Sequence, residues 1–379
     1  MSLILGIIVG IIALTLLVVL HELGHAIAAR RNGVVVEEFG IGFPPRAWAK
    51  KLKNKVLFTI NWLPLGGFVR LQGEHDDASK KGDYGAASFW VKTKILLAGV
   101  VINWLTAAVL LTILAITGLP KALPNQFVVQ SDTKEVLQPV QLGAISANYP
   151  AAKAGLQIRD KIVRFAGQEV KTPEDFIALT RQYAGKDVEV IYSRGGSEST
   201  AKLKLRKDGN VLFGASLVQL SETKATWSAP IVGVVVTGQL TIETFKGLGT
   251  MIGSLATGVV NQFSPDASVR KQGSEEVAMV RDSVAGPVGI FGILFPAAQQ
   301  SGLTQLTFLV AFISLGLAVM NVLPIPALDG GRWFTMAGFR LFKKKLTRER
   351  EEKIQAVGFM VLMALVVLVT IADVGKILQ

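Results

Sequence analysis

Two histidines four residues apart enclose a glutamate in His21-Glu22-Leu23-Gly24-His25, at the end of an apolar run that begins near Ile4. On a helix, residues at i and i+4 share a face, with Cβ atoms about 5–6 Å apart. Two imidazoles so placed can hold one zinc ion at about 2.0–2.1 Å, and Glu22 then lies beside it, ready to take a proton from water as a general base. Ionisable groups at membrane depth are costly and by default mark functional sites. The competing reading is that the helix leaves the membrane before His21 and the cluster is interfacial polar surface.

A hydrolytic zinc site needs a third protein ligand and an open fourth position. The chain has no cysteine and only three histidines, so thiolate ligands and disulfides are excluded. His75 sits in the polar stretch "LQGEHDDASKKGD" and reads as solvated. Asp329, in "NVLPIPALDGGRW", is the better candidate. Pro324 and Pro326 end the preceding helix, and Gly330 and Gly331 let backbone turn and approach closely. Irregular backbone at membrane depth is tolerated only where it is buried or lines a cavity.

These residues must be carried by membrane helices. Of the 379 residues, 50% are hydrophobic. Four runs, about 3–25, 95–118, 303–323 and 355–373, approach the roughly 20 apolar residues that cross a hydrocarbon core of about 30 Å. The first run lacks a basic n-region and a small-residue cleavage site, so it is expected to be retained. The net charge is +12. Its Lys and Arg crowd the loops after the first and third runs, which predicts that both loops are cytoplasmic. Charges that flank spans without interleaved aromatics argue against nucleic acid and for an anionic bilayer surface. The first and third spans then both run inward, and bring His21, His25 and Asp329 together near the cytoplasmic side. Two shorter apolar pieces, "APIVGVVVTGQLTIETFKGLG" and "GPVGIFGILFPAA", are expected to lie on or partly in the outer leaflet, because one further crossing would carry the basic loop after Asp329 outside.

Between the second and third spans the chain turns polar from about Gln126 to Leu220. Alternating strands "KDVEVIYSR" and "STAKLKLRK", turn signals such as "RGGS", and a helix "TPEDFIALTRQYAG" with Thr172 as N-cap and Pro173 at its first position describe a small β-rich domain. Within it "GAISANYPAAKAGLQIRDKIVRFAGQEV" resembles a bacterial PDZ domain. That resemblance implies an extended peptide or C-terminal tail bound as an added strand.

His21 to His25, the run "NVLPIPALDG" from Asn321 to Gly330, and the intervening PDZ-like domain together resemble the site-2 protease family of intramembrane zinc metalloproteases, in its RseP-like bacterial branch. The resemblance implies zinc held by His21, His25 and Asp329, Glu22 as catalytic base, and Asn321 near the substrate backbone. "FGIGFPPRAWAKKLKNKVLFTINWLPLGGFVRLQGE" reads as strands "VLFTINW" and "FVRLQ" broken at Pro64, Gly66 and Gly67. It resembles the family's membrane-associated β-hairpin, and its exposed edge is expected to pair with an unwound substrate segment. "GPVGI", from Gly286, resembles a segment that precedes the third span. Two departures stand out. One PDZ domain is seen where several members carry two in tandem, and the second span reads "AGVVINWLTA" without the expected proline but with Asn103.

The expected fold is thus a polytopic α-helical membrane protein of about four transmembrane helices, with a membrane-associated β-hairpin and an extracytoplasmic β-rich PDZ domain. Its segments are a first span with the histidine motif (1–30), a cytoplasmic-side loop with the hairpin (31–94), a second span (95–119), the PDZ domain (120–225), amphipathic or interfacial helices (226–300), a third span with the Asp329 motif (301–340), and a basic loop with the fourth span (341–379). The function implied is a Zn2+-dependent endopeptidase of a bacterial inner membrane, which cuts the spans of single-pass membrane proteins such as anti-sigma factors or remnant signal peptides. Two alternatives remain, a membrane-tethered PDZ adaptor or chaperone without proteolytic activity, and a metalloprotease of soluble cytoplasmic peptides.

Overall fold

The structure is a computed structural model that describes residues 2–209 and 211–378. The chain ends of the first and last expected segments, and one residue of the PDZ segment, lie outside the described residues. Two units emerge, Met1–Ile113 with Pro230–Gln379, and Leu114–Ala229.

The chain opens with α1 (Ser2–Arg31), the strands β1 (Val36–Lys51) and β2 (Leu57–Leu71), and α2 (Phe89–Thr117). The β-rich unit follows with β3 (Leu119–Pro120), β4 (Lys134–Leu137), β5 (Gln141–Ile145), α3 (Pro150–Lys153), β6 (Lys161–Phe165), β7 (Gln168–Glu169), α4 (Pro173–Gln182), β8 (Asp187–Arg194), β9 (Ser197–Lys204), β10 (Ala215–Val218) and β11 (Ser221–Lys224). The remainder is helical, with α5 (Ala229–Asn261), α6 (Ala267–Ser283), α7 (Pro287–Gly289), a π turn over Ile290–Leu294, α8 (Phe295–Ser301), α9 (Leu303–Val322), α10 (Asp329–Leu341) and α11 (Arg348–Leu378).

Among the described residues five helices, α1, α2, α5, α9 and α11, are long and apolar enough to cross a membrane, one more than the four apolar runs suggest. The addition is α5. Glu243 and Lys246 interrupt its apolar run in sequence, but on the helix they pair at 2.8 Å, three residues apart on one face. Apolar residues resume beyond them, so one helix of 33 residues forms where a shorter interfacial piece is expected. The second short piece lies in the α7–α8 stretch, which follows α6 after a bend of 47°. There the Asp373 carboxylate of α11 accepts the Gly289 N–H at 2.7 Å, deep inside the protein.

The expected hairpin is larger than "VLFTINW" and "FVRLQ" imply, because β1 is itself a strand of 16 residues and β2 runs unbroken through Pro64 and Gly66. Each strand bends so that the pair makes four passes. Residues 38–41 stand opposite 67–70 on one side and 57–60 on the other, and 46–51 pair with 57–61 beyond them. Glu38 sits at the middle of this sheet, 2% exposed. Its carboxylate accepts from Arg46 at 2.9 Å, Thr59 at 3.0 Å and Arg70 at 2.9 Å, one partner on each of the other passes. A buried carboxylate is tolerable only when its oxygens are satisfied in this way.

In the β-rich unit β10, β5, β6, β8 and β9 pair in that order, with β7 added to β6. Helix α4 begins as its sequence dictates. The Thr172 hydroxyl accepts the Asp175 N–H while the Asp175 carboxylate accepts the Thr172 N–H, a capping box that satisfies two orphan donors. Phe165, Phe176 and Phe213 meet edge to face at 4.9–6.3 Å in the core. Burying each ring contributes about 1.5–3 kcal/mol. The buried Asp160 takes both Arg194 Nε and one Arg194 amine at 2.7 Å. The unit, Leu114–Ala229, also contains β3, β11 and β4, which form a small separate sheet.

Candidate metal centre

Helix α1 stays apolar to its third turn from the end and then presents His21 and His25 on one face, 7% and 6% exposed. The opposite contribution comes from the end of α9. Leu323 leaves the helix in an extended conformation, and the chain passes Pro324 and Pro326 before α10 begins at Asp329. The turn is tight. A Cβ on Gly330 would stand 2.3 Å from the Val322 carbonyl oxygen, and one on Gly331 2.0 Å from that of Ile325. Only glycine lets the chain double back this closely. Asp329 then occupies the first turn of α10, where a carboxylate is favoured by the helix dipole.

Three donor atoms converge. His21 Nε2 lies 3.0 Å from Asp329 Oδ2 and 3.1 Å from His25 Nε2, and His25 Nε2 lies 3.2 Å from Asp329 Oδ2. Tetrahedral ligands at the usual zinc distances are separated by roughly 3.3 Å, so the triangle fits one ion. Lone pairs this close repel each other unless a cation or protons lie among them. Asp329 remains one-fifth exposed, which leaves an approach to the centre.

The rings are oriented from α2. His25 Nδ1 lies 2.7 Å from the Ile95 carbonyl oxygen, an acceptor that fixes Nδ1–H and turns Nε2 to the centre. One helical turn on, Gly99 lies directly under both rings. A Cβ there would be 2.6 Å from His25 Nε2 and 2.7 Å from His21 Nε2. Another turn on, the Asn103 side-chain nitrogen is 3.3 Å from His21 Nδ1. Gly24 of α1 packs on the same helix, where a Cβ would meet the Ala98 carbonyl oxygen at 2.7 Å. Sequence reasoning singled out neither Ile95 nor Gly99. The signal available was the spacing 95, 99, 103, a single helix face with a glycine at its middle.

Glu22 does not join the triangle. Its carboxylate accepts the Val69 N–H of β2 at 3.0 Å, so the hairpin lies against α1 at the candidate base. Gly67 is adjacent, since a Cβ there would come 3.7 Å from Glu22 Cγ, and the Pro64 carbonyl accepts the Thr15 hydroxyl. Gly66 has φ +89° and faces the Phe43 ring. Asn321 is bonded within its own helix, donating to Leu317 O at 2.9 Å. His75 is not freely solvated as its polar loop suggests. It lies 3.4 Å from Glu352 and 4.0 Å from Glu351, and is absent from the donor cluster.

Two imidazoles and a neighbouring glutamate on the long apolar α1, with a carboxylate at the turn that follows the apolar α9, form the kind of donor set that membrane-bound metallohydrolases use. A family model described as Peptidase family M50 matches residues 9–365, and the chain belongs to that family, the site-2 proteases. It is a multi-pass membrane protein of a metalloprotease family. A Clostridium perfringens protein provisionally named a zinc metalloprotease is 30% identical over 97% of this chain and 98% of its own. A Clostridium acetobutylicum protein with the same provisional name is 31% identical over 97% of each chain. The regulator of sigma-W protease RasP of Bacillus subtilis is 25% identical over 95% of this chain and 96% of its own. The PDZ domain of an SdrC-like protein from Listeria monocytogenes is 26% identical over 21% of this chain and 87% of that domain, with a TM-score of 0.20, too low to speak for the fold.

Proposed function

We propose that the protein is a zinc-dependent intramembrane endopeptidase that cleaves the spans of single-pass membrane proteins. The observation that carries this reading is the convergence of His21, His25 and Asp329 at 3.0–3.2 Å, beside a strand that holds Glu22. Zinc bound there supplies Lewis acidity, polarising the scissile carbonyl and making water a stronger acid. The protein's own groups do the rest. His21, His25 and Asp329 would hold the ion. Glu22, next to it in sequence but outside the triangle, takes the proton from water and passes it to the leaving amine.

A peptide bond inside a helix is already hydrogen-bonded, so it must be unwound before attack. The β2 backbone around Pro64, Gly66 and Gly67, pressed against α1 at Glu22, offers an edge on which an unwound substrate segment pairs as an added strand. Asn321 is proposed to help hold the substrate backbone after leaving its bond to Leu317. The β-rich unit is read as an extracytoplasmic PDZ domain that takes an extended peptide or C-terminal tail, with the active site toward the cytoplasmic face of a bacterial inner membrane. A relative named for sigma-W regulation favours membrane-anchored anti-sigma factors as substrates, with remnant signal peptides as the second class.

The test compares the parent with Glu22→Gln in liposomes, measuring zinc content and cleavage of a model single-span substrate. Zinc retained with cleavage abolished is the expected result. Zinc bound by both, with no spanning substrate cut by the parent, would replace the protease reading with that of a membrane-tethered adaptor.

A further inference from the structure

Asn103 is a buried polar group beside the metal centre that the mechanism leaves unused. It is fully buried on α2, its side-chain nitrogen faces His21 Nδ1 at 3.3 Å, and its side-chain oxygen has no partner among the described residues. Its main-chain carbonyl is accounted for separately, accepting the Ser314 hydroxyl of α9 at 2.8 Å. The amide alone is therefore mismatched.

The mismatch has a chemical resolution. His21 Nε2 points into the donor triangle, so it must keep a lone pair there, and a neutral imidazole then carries its proton on Nδ1. Nδ1–H needs an acceptor, yet the group placed against it is an amide NH2, another donor. Oxygen and nitrogen of an asparagine amide exchange places on a half-turn about χ2, with almost no change in shape. That half-turn presents Oδ1 to Nδ1–H and gives the orphaned oxygen its partner.

We propose that Asn103 is a positioning residue for the metal centre, accepting the His21 Nδ1–H through Oδ1 and locking the tautomer that leaves Nε2 free for zinc. It is the counterpart of the Ile95 carbonyl on His25. One helix thereby sets both imidazoles, one through backbone and one through a side chain. The proposal rests on the zinc reading above, and its test separates the two.

Zinc affinity is measured on the purified full-length protein by competition with a chromophoric chelator, for the parent, Asn103→Leu, Asn103→Asp and His21→Ala. The three histidines of the chain are also labelled with 15N, so that each ring's tautomer is read directly in the metal-free protein. Losing an orienting partner of this kind weakens metal binding about 10–100-fold. Asn103→Leu should show that loss, together with a mixed tautomer at His21 and an unchanged signal from His25. Asn103→Asp keeps an acceptor at the same place and should restore both affinity and tautomer. Parent-like affinity and tautomer in Asn103→Leu, with zinc lost in His21→Ala, would overturn the role of Asn103 while leaving the metal centre intact. Asn103→Asp as weak as Asn103→Leu would also overturn it, by reducing the residue to packing. Zinc binding indifferent to His21→Ala would remove the metal reading itself and this proposal with it.

Discussion

Replacing Gly99 with alanine is the sharpest probe of the candidate centre, because the added methyl has nowhere to go. Its Cβ would lie 2.6 Å from both His21 Cε1 and His25 Nε2 and 2.7 Å from His21 Nε2. Ordinary contact between such atoms is about 3.5 Å, so relief requires roughly 0.8–0.9 Å of movement. Separating the helices would pull His25 from the Ile95 carbonyl at 2.7 Å and Gly24 from Ala98, so the rings themselves must shift. Metal–ligand distances tolerate only about ±0.2 Å. Zinc affinity should therefore fall by roughly 100-fold or more, at or beyond the upper end of what one lost orienting partner costs, since both ligands are displaced. Overpacking itself should cost about 1–3 kcal/mol of stability. Zinc stoichiometry after dialysis against a weak chelator, with chelator competition for affinity, reads the effect. Gly316→Ala is the control, since no atom of the described residues beyond its own helix backbone and chain neighbours lies within 4 Å of its added methyl, and it should bind zinc as the parent does. Full stoichiometry and parent affinity in Gly99→Ala would show that the rings do not rest on α2 as described.

Three further outcomes are expected. Glu38→Leu leaves Arg46 and Arg70 facing an apolar side chain; both are half exposed, which reduces the cost to about 1–3 kcal/mol, and hydrogen exchange should quicken across 38–41 and 67–70 without change in the β-rich unit. Asp160→Ala deprives Arg194 of two bonds and uncaps the Gln157 N–H, so proteolysis within 114–229 should accelerate about 10–100-fold, corresponding to about 1.4–2.8 kcal/mol; an unchanged rate would refute the clamp. Asp132 is held below the usual carboxylate range by the hydroxyls of Ser228 and then Thr226. A depressed carboxylate contributes stability that is complete above its unfolded value and is lost as pH falls through the folded one, and Ser228→Ala should move its NMR titration upward toward the ordinary range.

The histidine spacing was legible because helical periodicity is local, and a pair at i and i+4 needs no tertiary information to share a face. Asp329 was legible for a similar reason, as prolines and paired glycines announce a chain that stops and doubles back. Thr172 and Pro173 announced α4 in the same manner, while the part of Asp175 in its capping box emerged only from the structure. What lay hidden depends on partners distant in sequence. Gly99 looks like any glycine in an apolar run until α1 is laid across it. Glu38 reads as surface charge beside Glu37, and is buried only because three passes of one sheet bring it Arg46, Thr59 and Arg70. The length of α5 was masked by Glu243 and Lys246, which look like a terminus in sequence and become a paired face once the helix has formed.

Asp329 stands 308 residues beyond His21, the donor closest to it in space. During synthesis the ribosome therefore completes the histidine pair, the hairpin and the whole β-rich unit long before the third donor emerges. A nascent chain, or one broken off anywhere before residue 329, carries two imidazoles that cannot close a three-donor site. The order of translation itself thus delays the three-donor cluster until α1 to α9 are already made.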